Sequence, residues 1–353
     1  MNIKIGRRII GDKHPCFIIA EAGINHNGNL DMAMQLIDYA KQSGANCIKF
    51  QTFNTKASES IHSLKPSYFK GRDGNKTKHD FSKSLEFSRD QFKTLRDYCR
   101  RSNIMFLSTA TDLPSLKLLM SIGVDAIKIG SSDTNNFMLL KNAAQTRLPI
   151  FLSTGISTFQ DIQDSVDFLH GNGSGNVSIL QCTSQYPAPY SQINLNAMKT
   201  FKEKFSLPVG YSDHSAGYHV PVAAVAAGAN VIEKHFTLSR NLPGVDHIAS
   251  IEPHEFRLMV DFIRDVEQSL GTGIKNIEAS EREHLKTMRK SVVAAKDIRA
   301  GRPITEKDIT VKRPGTGLSP KHFYHIIGSK LNVDLKPDDI IKEEMIDDFQ
   351  SIK

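Results

Sequence analysis

The chain has 353 residues, 39% hydrophobic and 24% charged, which allows one large packed domain plus a small one and excludes a disordered chain. The formal charge is +7, but lysine and arginine are scattered, with no basic stripe carrying interleaved aromatics; nucleic acid is not expected as a partner, and surface charge or a cleft for a small anion remains. No apolar run reaches the roughly 20 residues of a membrane span, and Met1 to Cys16 lacks the apolar core and cleavage site of a signal peptide, so a cytosolic protein without membrane attachment is expected.

Short apolar segments recur at 16–20, 47–50, 105–107, 126–129, 150–152, 177–180, 207–209 and 231–232, eight in all, and most are followed by a helical pattern. Ala33, Leu36, Ile37 and Ala40 share one helix face, as do Phe256, Met259, Val260 and Ile263. Asn29, and Ser157 or Thr158, stand where helix caps are expected. Apolar strands buried on both faces and alternating eight times with helices predict a (β/α)₈ TIM barrel over 1–273; an open doubly wound sheet is the alternative from pattern alone. Between the second and third strands, 52–88 is a long polar connection rich in Lys, Ser and Gly, to be read as a lid, a binding loop or a partly disordered segment.

The pattern changes after Leu270. A charged linker is expected over 274–290, then a small β-rich domain over 291–353. Within it, Asp297-Ile298-Arg299 with Ile304, Glu306 and Ile309 is echoed by Asp334-Leu335-Lys336 with Ile341, Glu343 and Ile346, which suggests a pseudo-symmetric unit. The four cysteines (Cys16, Cys47, Cys99, Cys182) lack paired metal-ligand spacing and are expected as free thiols.

In a parallel barrel the working residues stand at the carboxyl ends of the strands. Here those ends collect Glu21, Lys49, Thr109, Lys128, Ser131, Asp133, Ser153, Ser184, Ser212, His214 and His235. Lysines with surrounding hydroxyls suit a phosphate and a carboxylate, as a point charge plus directed hydrogen bonds. His214 and His235, at the ends of neighbouring strands, are either hydrogen-bonded structure or two ligands of one divalent ion.

As an ordered set, the motifs resemble the sialic acid synthase family: Ile19-Ala20-Glu21-Ala22-Gly23-Ile24-Asn25-His26-Asn27-Gly28, Lys49-Phe50-Gln51-Thr52, Lys128-Ile129-Gly130-Ser131, Leu152-Ser153-Thr154-Gly155, Gly210-Tyr211-Ser212-Asp213-His214 and Lys234-His235-Phe236-Thr237. Val311-Lys312-Arg313-Pro314-Gly315-Thr316-Gly317 resembles that family's carboxyl-terminal antifreeze-like (SAF) domain. The resemblance implies condensation of phosphoenolpyruvate with an N-acetylated amino sugar such as N-acetylmannosamine. It implies a divalent metal on His214 and His235, manganese with magnesium or cobalt as alternatives, acting as a Lewis acid on the sugar aldehyde. Lys49, Thr109, Lys128, Ser131, Ser153 and Ser212 match positions that hold phosphoenolpyruvate; Tyr186 matches a tyrosine near the sugar. Arg313 matches an arginine that reaches the sugar in another subunit, which implies a domain-swapped homodimer. Glu21 and Asp133 are the candidates for catalytic proton transfer, and Asp246 for the sugar hydroxyls.

Two positions depart from the pattern. Members acting on N-acetylmannosamine typically carry Glu where this chain has Asp133, and Asn where it has Ser184. The resemblance therefore leaves open a synthase for legionaminic or pseudaminic acid that uses a diacetamido-trideoxy hexose. A Schiff-base aldolase working through Lys49 or Lys128, and a non-catalytic sugar- or ice-binding module, are the rival readings.

Overall fold

Side-chain alternation along eight short strands decides what faces the inside of this protein. The computed structural model describes residues 2–66, 69 and 76–350. The chain starts with a hairpin, β1 (Asn2–Ile5) and β2 (Arg8–Gly11), which the sequence reading did not anticipate. Its signal was short: Ile3 and Ile5 alternate with polar residues just before Gly6 in a two-residue turn.

The barrel strands follow: β3 (Phe17–Gly23), β4 (Cys47–Thr52), β5 (Met105–Ala110), β6 (Ile127–Ile129), β7 (Ile150–Ser153), β8 (Val177–Cys182), β9 (Val209–Asp213) and β10 (Val231–His235). All pairings are parallel, and β10 closes on β3, so the sheet is a closed eight-stranded barrel and the open-sheet alternative falls. All the strands but β6 run further at their carboxyl ends than the apolar segments. Strands were expected to stop where polarity began, but polar side chains continue the inward-facing row.

Alternate positions point inward. Phe17, Ile19, Cys47, Leu107, Phe151 and Leu180 form one cluster with Ile3, Ile5 and Ile10 of the hairpin, which plugs the amino-terminal end of the barrel. The opposite parity (Ile18, Ile48, Phe106, Leu152, Ile179, Ile232) packs on the surrounding helices. Gly210 occupies an inward site on β9 where a Cβ would lie 2.5 Å from the Val231 carbonyl oxygen and 2.6 Å from a Leu180 methyl, so only glycine fits.

The helices of this unit are α1 (Leu30–Gln42), α2 (Thr55–Ser58), α3 (Lys78–Lys83), α4 (Arg89–Arg101), α5 (Leu113–Ile122), α6 (Phe137–Gln145), α7 (Phe159–Gly171), α8 (Ala197–Phe205), α9 (His219–Ala226) and α10 (Pro253–Ser269). Asn29 caps α1, and Thr158 rather than Ser157 caps α7, in a reciprocal box with Asp161. The faces expected on α1 and α10 are buried. Helices α2 and α3 lie within the long connection 52–88; the lid reading of that segment falls partly outside the described residues. Among the described residues no helix is long and apolar enough to cross a membrane, and all four cysteines are buried and free.

The chain divides into two compact units, Met1–Gly271 and Thr272–Lys353. In the second, the stretch expected as linker carries a 3₁₀ turn (Ala279–Glu281) and a short helix, α11 (His284–Met288). Strands β11 (Ser291–Ala294) and β12 (Ile309–Lys312) pair antiparallel. The sequence echo has a structural counterpart: Ile298 and Leu335, equivalent positions of the two copies, exchange both backbone hydrogen bonds at 2.9 Å. The equivalent pairs Ile304/Ile341 and Ile309/Ile346 share the same small core.

Candidate active site

The inward row that is apolar at the bottom of the barrel turns polar two residues further along each strand. Glu21 follows Ile19, Lys49 follows Cys47, Thr109 follows Leu107, Ser153 follows Phe151, and Glu233 and then His235 follow Val231. Parallel pairing sets these residues side by side, Glu21 against Lys49 and Thr109 against Lys128. They surround a cavity of ≈ 420 Å³ at the barrel mouth.

Eleven of the expected site residues line this cavity: Glu21, Lys49, Thr109, Lys128, Ser131, Ser153, Ser184, Tyr186, Ser212, His214 and His235. Lys49 Nζ lies 2.9 Å from Glu21 Oε1 and donates to Thr109 Oγ1 at 2.8 Å. Lys128 Nζ donates to Ser153 Oγ at 2.7 Å. Glu233 stands between the two lysines, 3.7 Å from Lys49 and 3.5 Å from Lys128, and accepts a hydrogen bond from Ser212 Oγ at 3.0 Å. Sequence reasoning did not single out Glu233, although it lies in the same polar strand end as His235; the inward parity of 231, 233 and 235 was the available signal.

Burial raises the Glu21 carboxyl to about 7, against the pull of Lys49 and with a push from Glu233. Burial works the same way on Glu233, but Lys128 and Lys49 outweigh it and hold this carboxyl below the usual range. Burial lowers Lys128; Lys49, despite burial, is raised by Glu21 and Glu233. Glu21 Oε2 and Glu233 Oε2 are both buried without a hydrogen-bond partner. The two lysines offer charge to an anionic ligand, while the two unpartnered carboxylate oxygens are left to accept from an O–H or N–H.

On the adjoining wall, the rings of His214 and His235 are 5.1 Å apart, with the Tyr186 ring 4.0 Å from His214. His214 Nδ1 meets the Thr183 carbonyl oxygen at 2.8 Å, an arrangement that puts the proton on Nδ1 and leaves Nε2 as the free lone pair. His235 Nδ1 is buried without a hydrogen-bond partner, 3.8 Å from Asp246 Oδ2. Burial, and after it the neighbouring His214, keeps His235 well below the usual imidazole range and therefore neutral. Burial lowers His214, but Cys182 and the Thr183 carbonyl outweigh it and raise this imidazole, so a divalent ion on the pair would displace a proton from His214 and take the lone pair of the neutral His235. Among the described residues no three His, Cys, Asp or Glu side chains form a metal-binding group, so other ligands of such an ion would come from substrate and water. The adjacent Lys234 takes no part: it faces out of the barrel, fully buried on Asp213 at 2.7 Å.

Ser131 and Ser184 pack on Gly155, whose backbone N–H donates to Ser131 Oγ at 2.9 Å. A Cβ there would lie 2.2 Å from Ser184 Oγ, so glycine makes the space for both hydroxyls. Ser184 also borders an uncharged groove of ≈ 830 Å³ lined by Gln, Asn, Ser and Thr together with Ile156, Phe159, Ile162 and Phe201.

Asp133 and Asp246 line a second cavity of ≈ 500 Å³, which shares Gln51, Pro66, Thr111, Ser132 and Tyr186 with the first. Asn136 Nδ2 and Ser132 Oγ donate to Asp133 at 2.9 and 3.0 Å, while burial raises its carboxyl. Burial also raises Asp246, to about 6. Arg313 belongs to the second unit, where its Nε donates to the Met288 carbonyl at 3.2 Å.

A parallel barrel with lysines, carboxylates and an imidazole pair at its carboxyl end has the form of an enzyme acting on a small anionic substrate. Residues 36–275 match the NeuB family and 289–347 the SAF domain; the chain belongs to the NeuB family. It is 41% identical to a Campylobacter jejuni N,N'-diacetyllegionaminic acid synthase, over 92% of this chain and 98% of that protein. It is 37% identical to the human N-acetylneuraminate-9-phosphate synthase, over 96% and 95%. The crystal structure of a Leptospira borgpetersenii N-acetylneuraminic acid synthetase in complex with citrate is similar with a TM-score of 0.72 and 38% identity, covering 81% of this chain and 95% of that one.

Proposed function

We propose that this protein condenses phosphoenolpyruvate with an N-acetylated amino sugar in its aldehyde form, giving a nine-carbon 2-keto acid and inorganic phosphate. The observation that carries this reading is the buried set of Lys49, Lys128, Glu21 and Glu233 beside the His214–His235 pair in one cavity. Lys49 and Lys128 supply charge, and Thr109, Ser131, Ser153 and Ser212 supply directed hydrogen bonds, for the phosphate and carboxylate of phosphoenolpyruvate. Carbon 3 attacks the aldehyde carbon as the enol π electrons form the new C–C bond and the aldehyde C=O π pair moves onto oxygen. That oxygen ends as a hydroxyl by taking up one proton of the water that adds next, while the other leaves with phosphate. Water adds at carbon 2, and phosphate departs with its bridging oxygen as that C–O bond breaks. Glu21, with an unpartnered Oε2 and a carboxyl near neutrality, takes the proton of the adding water. His214 and His235 would hold the divalent ion, manganese with magnesium or cobalt as alternatives, whose chemistry is Lewis-acid polarisation of a carbonyl oxygen. We carry a homodimer as part of this reading; a monomeric mass in solution would remove it.

N-acetylmannosamine and a diacetamido-trideoxy hexose are both candidate acceptors, in keeping with the names of the relatives. The test is phosphate release from phosphoenolpyruvate with each sugar, with and without EDTA. Release that depends on sugar and metal is expected. Release with no sugar, or borohydride trapping of a keto acid on Lys128, would replace this reading with the aldolase.

A further inference from the structure

The second cavity has two unlike sides. Ile24, Phe53, Phe69, Phe81 and Leu85 give it an apolar wall, and all five belong to one cluster with Val245. Beside it, with Lys78 Nζ 5.4 Å from the Phe69 ring centre, the long connection between β4 and α4 contributes a polar triad. Lys78 Nζ donates to Glu59 Oε1 at 2.5 Å and to Ser82 Oγ at 2.8 Å, and Ser82 Oγ donates to the same Glu59 oxygen at 2.8 Å. Glu59 Oε1 is thus doubly occupied. Glu59 Oε2 is buried and has no hydrogen-bond partner. A buried carboxylate oxygen in that condition is costly, and a ligand N–H or O–H removes the cost.

Position adds a direction. Tyr186, shared by both cavities, lies against the two histidines, whereas Glu59, Lys78 and Ser82 line only the second cavity. A sugar whose aldehyde lies at the mouth therefore extends its other end toward the triad. Charge adds a restriction. Among the described residues the cavity is lined by Glu59, Asp133 and Asp246 against Lys78 alone, and Lys78 is engaged by Glu59. The Asp246 side chain is 9% exposed, and the neutral His235 ring at 3.8 Å gives it no balancing charge. Such a wall opposes a phosphate and accepts donors.

We propose that Glu59, held by Lys78 and Ser82, is the specificity-determining group of this cavity: its Oε2 accepts a hydrogen bond from the end of the sugar remote from the aldehyde, and the cavity takes an uncharged, acylated deoxy sugar and rejects a sugar phosphate. The second acetamido group of a diacetamido-trideoxy hexose supplies the donor, and its methyl groups suit the apolar wall. The inference rests on the synthase reading above.

The test compares 2,4-diacetamido-2,4,6-trideoxymannose, N-acetylmannosamine and N-acetylmannosamine 6-phosphate as acceptors for wild type, Glu59→Gln and Glu59→Ala, with phosphate release as readout. The diacetamido sugar is expected to give the highest kcat/KM in wild type and the 6-phosphate one at least about 10-fold lower. Glu59→Gln, which keeps the shape and Oε1 contacts, should lower kcat/KM for the diacetamido sugar about 10-fold, through KM, and narrow the gap to the phosphate. The KM for phosphoenolpyruvate should not move. Unchanged acceptor ratios in both variants, or a wild-type preference for the 6-phosphate, overturn the proposal. Failure of the synthase reading looks different: no acceptor releases phosphate in wild type. In that event calorimetric titration of the diacetamido sugar decides, since weaker binding to Glu59→Gln supports the proposal and equal binding overturns it.

Discussion

The mouth cavity and its neighbour share a wall but are built from different material. In the mouth, Glu21, Lys49, Thr109, Lys128, Ser153, Ser212, Glu233 and His235 sit on strands. Glu21, Lys49, Thr109, Lys128, Ser212 and Glu233 have a paired strand residue on both sides and Ser153 and His235 on one, and ion pairs and hydrogen bonds link the lysines, carboxylates and hydroxyls. In the neighbouring cavity, Glu59, Lys78, Asp133 and Asp246 come from connections and short helices. Strand-borne groups hold position closely, whereas loop-borne groups change readily without disturbing the barrel. The difference suggests a division of labour: the rigid cavity serves the chemistry on phosphoenolpyruvate, and the loop-built one selects the sugar.

The largest test of that division lies at the histidines. His214→Ala and His235→Ala should each abolish metal-dependent turnover, with losses of about 1,000-fold or more, because two adjacent imidazoles cannot be replaced by one. Near-normal phosphate release in either variant would undo the metal assignment. Next comes Lys128→Met, which removes a cation from the anion site and leaves Glu233 with Lys49 alone. Its KM for phosphoenolpyruvate should rise about 100-fold. An equal effect on the sugar KM alone would show that the two cavities do not divide the substrates.

Glu21 gives a pH test. Its carboxyl is raised to about 7, chiefly by burial. As a base it must be ionised, so the rate should climb as pH rises through about 7 and level off above, and Glu21→Gln should lose that limb together with about 100-fold of kcat. The stability linkage has the same sign of shift: a carboxyl raised from about 4.3 in the unfolded chain favours the fold below that value. That contribution is lost as pH rises through 7. A Glu21→Gln variant that keeps the limb would assign the titration to another group.

Legibility in the sequence followed the same division. The barrel was readable because apolar strands alternate with amphipathic helices, and the mouth because polar residues follow each apolar run. The rule is weaker for Glu233, which shares the polar end of the last strand with His235 and is singled out only by its inward parity with 231 and 235, and for the amino-terminal hairpin, where the alternation of Ile3 and Ile5 is too short to stand out. Glu59 and Lys78 carried no local signal at all. They lie in a polar connection without periodicity, and only three-dimensional packing pairs them at 2.5 Å and leaves one carboxylate oxygen unpartnered. Asp133 stands in the polar run after the fourth barrel strand and Asp246 in no such run, and the placement of both beside the mouth rather than in it cannot be read from spacing.

The smallest expected effect probes the boundary between the cavities. Asp133 stands on the short turn after β6, with Asn136 and Ser132 each donating to a different oxygen of its carboxylate. It lines the sugar-side cavity and not the mouth. Asp133→Glu lengthens the side chain by one methylene and pushes the carboxylate further into that cavity, at the cost of one or both of those hydrogen bonds. If the loop-built cavity alone reads the sugar, the change should shift the ratio of kcat/KM between the diacetamido sugar and N-acetylmannosamine by about 3- to 10-fold toward N-acetylmannosamine. The KM for phosphoenolpyruvate and the pH limb near 7 should stay where they are. A kcat loss shared equally by every acceptor, with the ratio unmoved, would instead place Asp133 in the proton transfers of the common reaction. The boundary between chemistry and selection would then run through this second cavity rather than between the two.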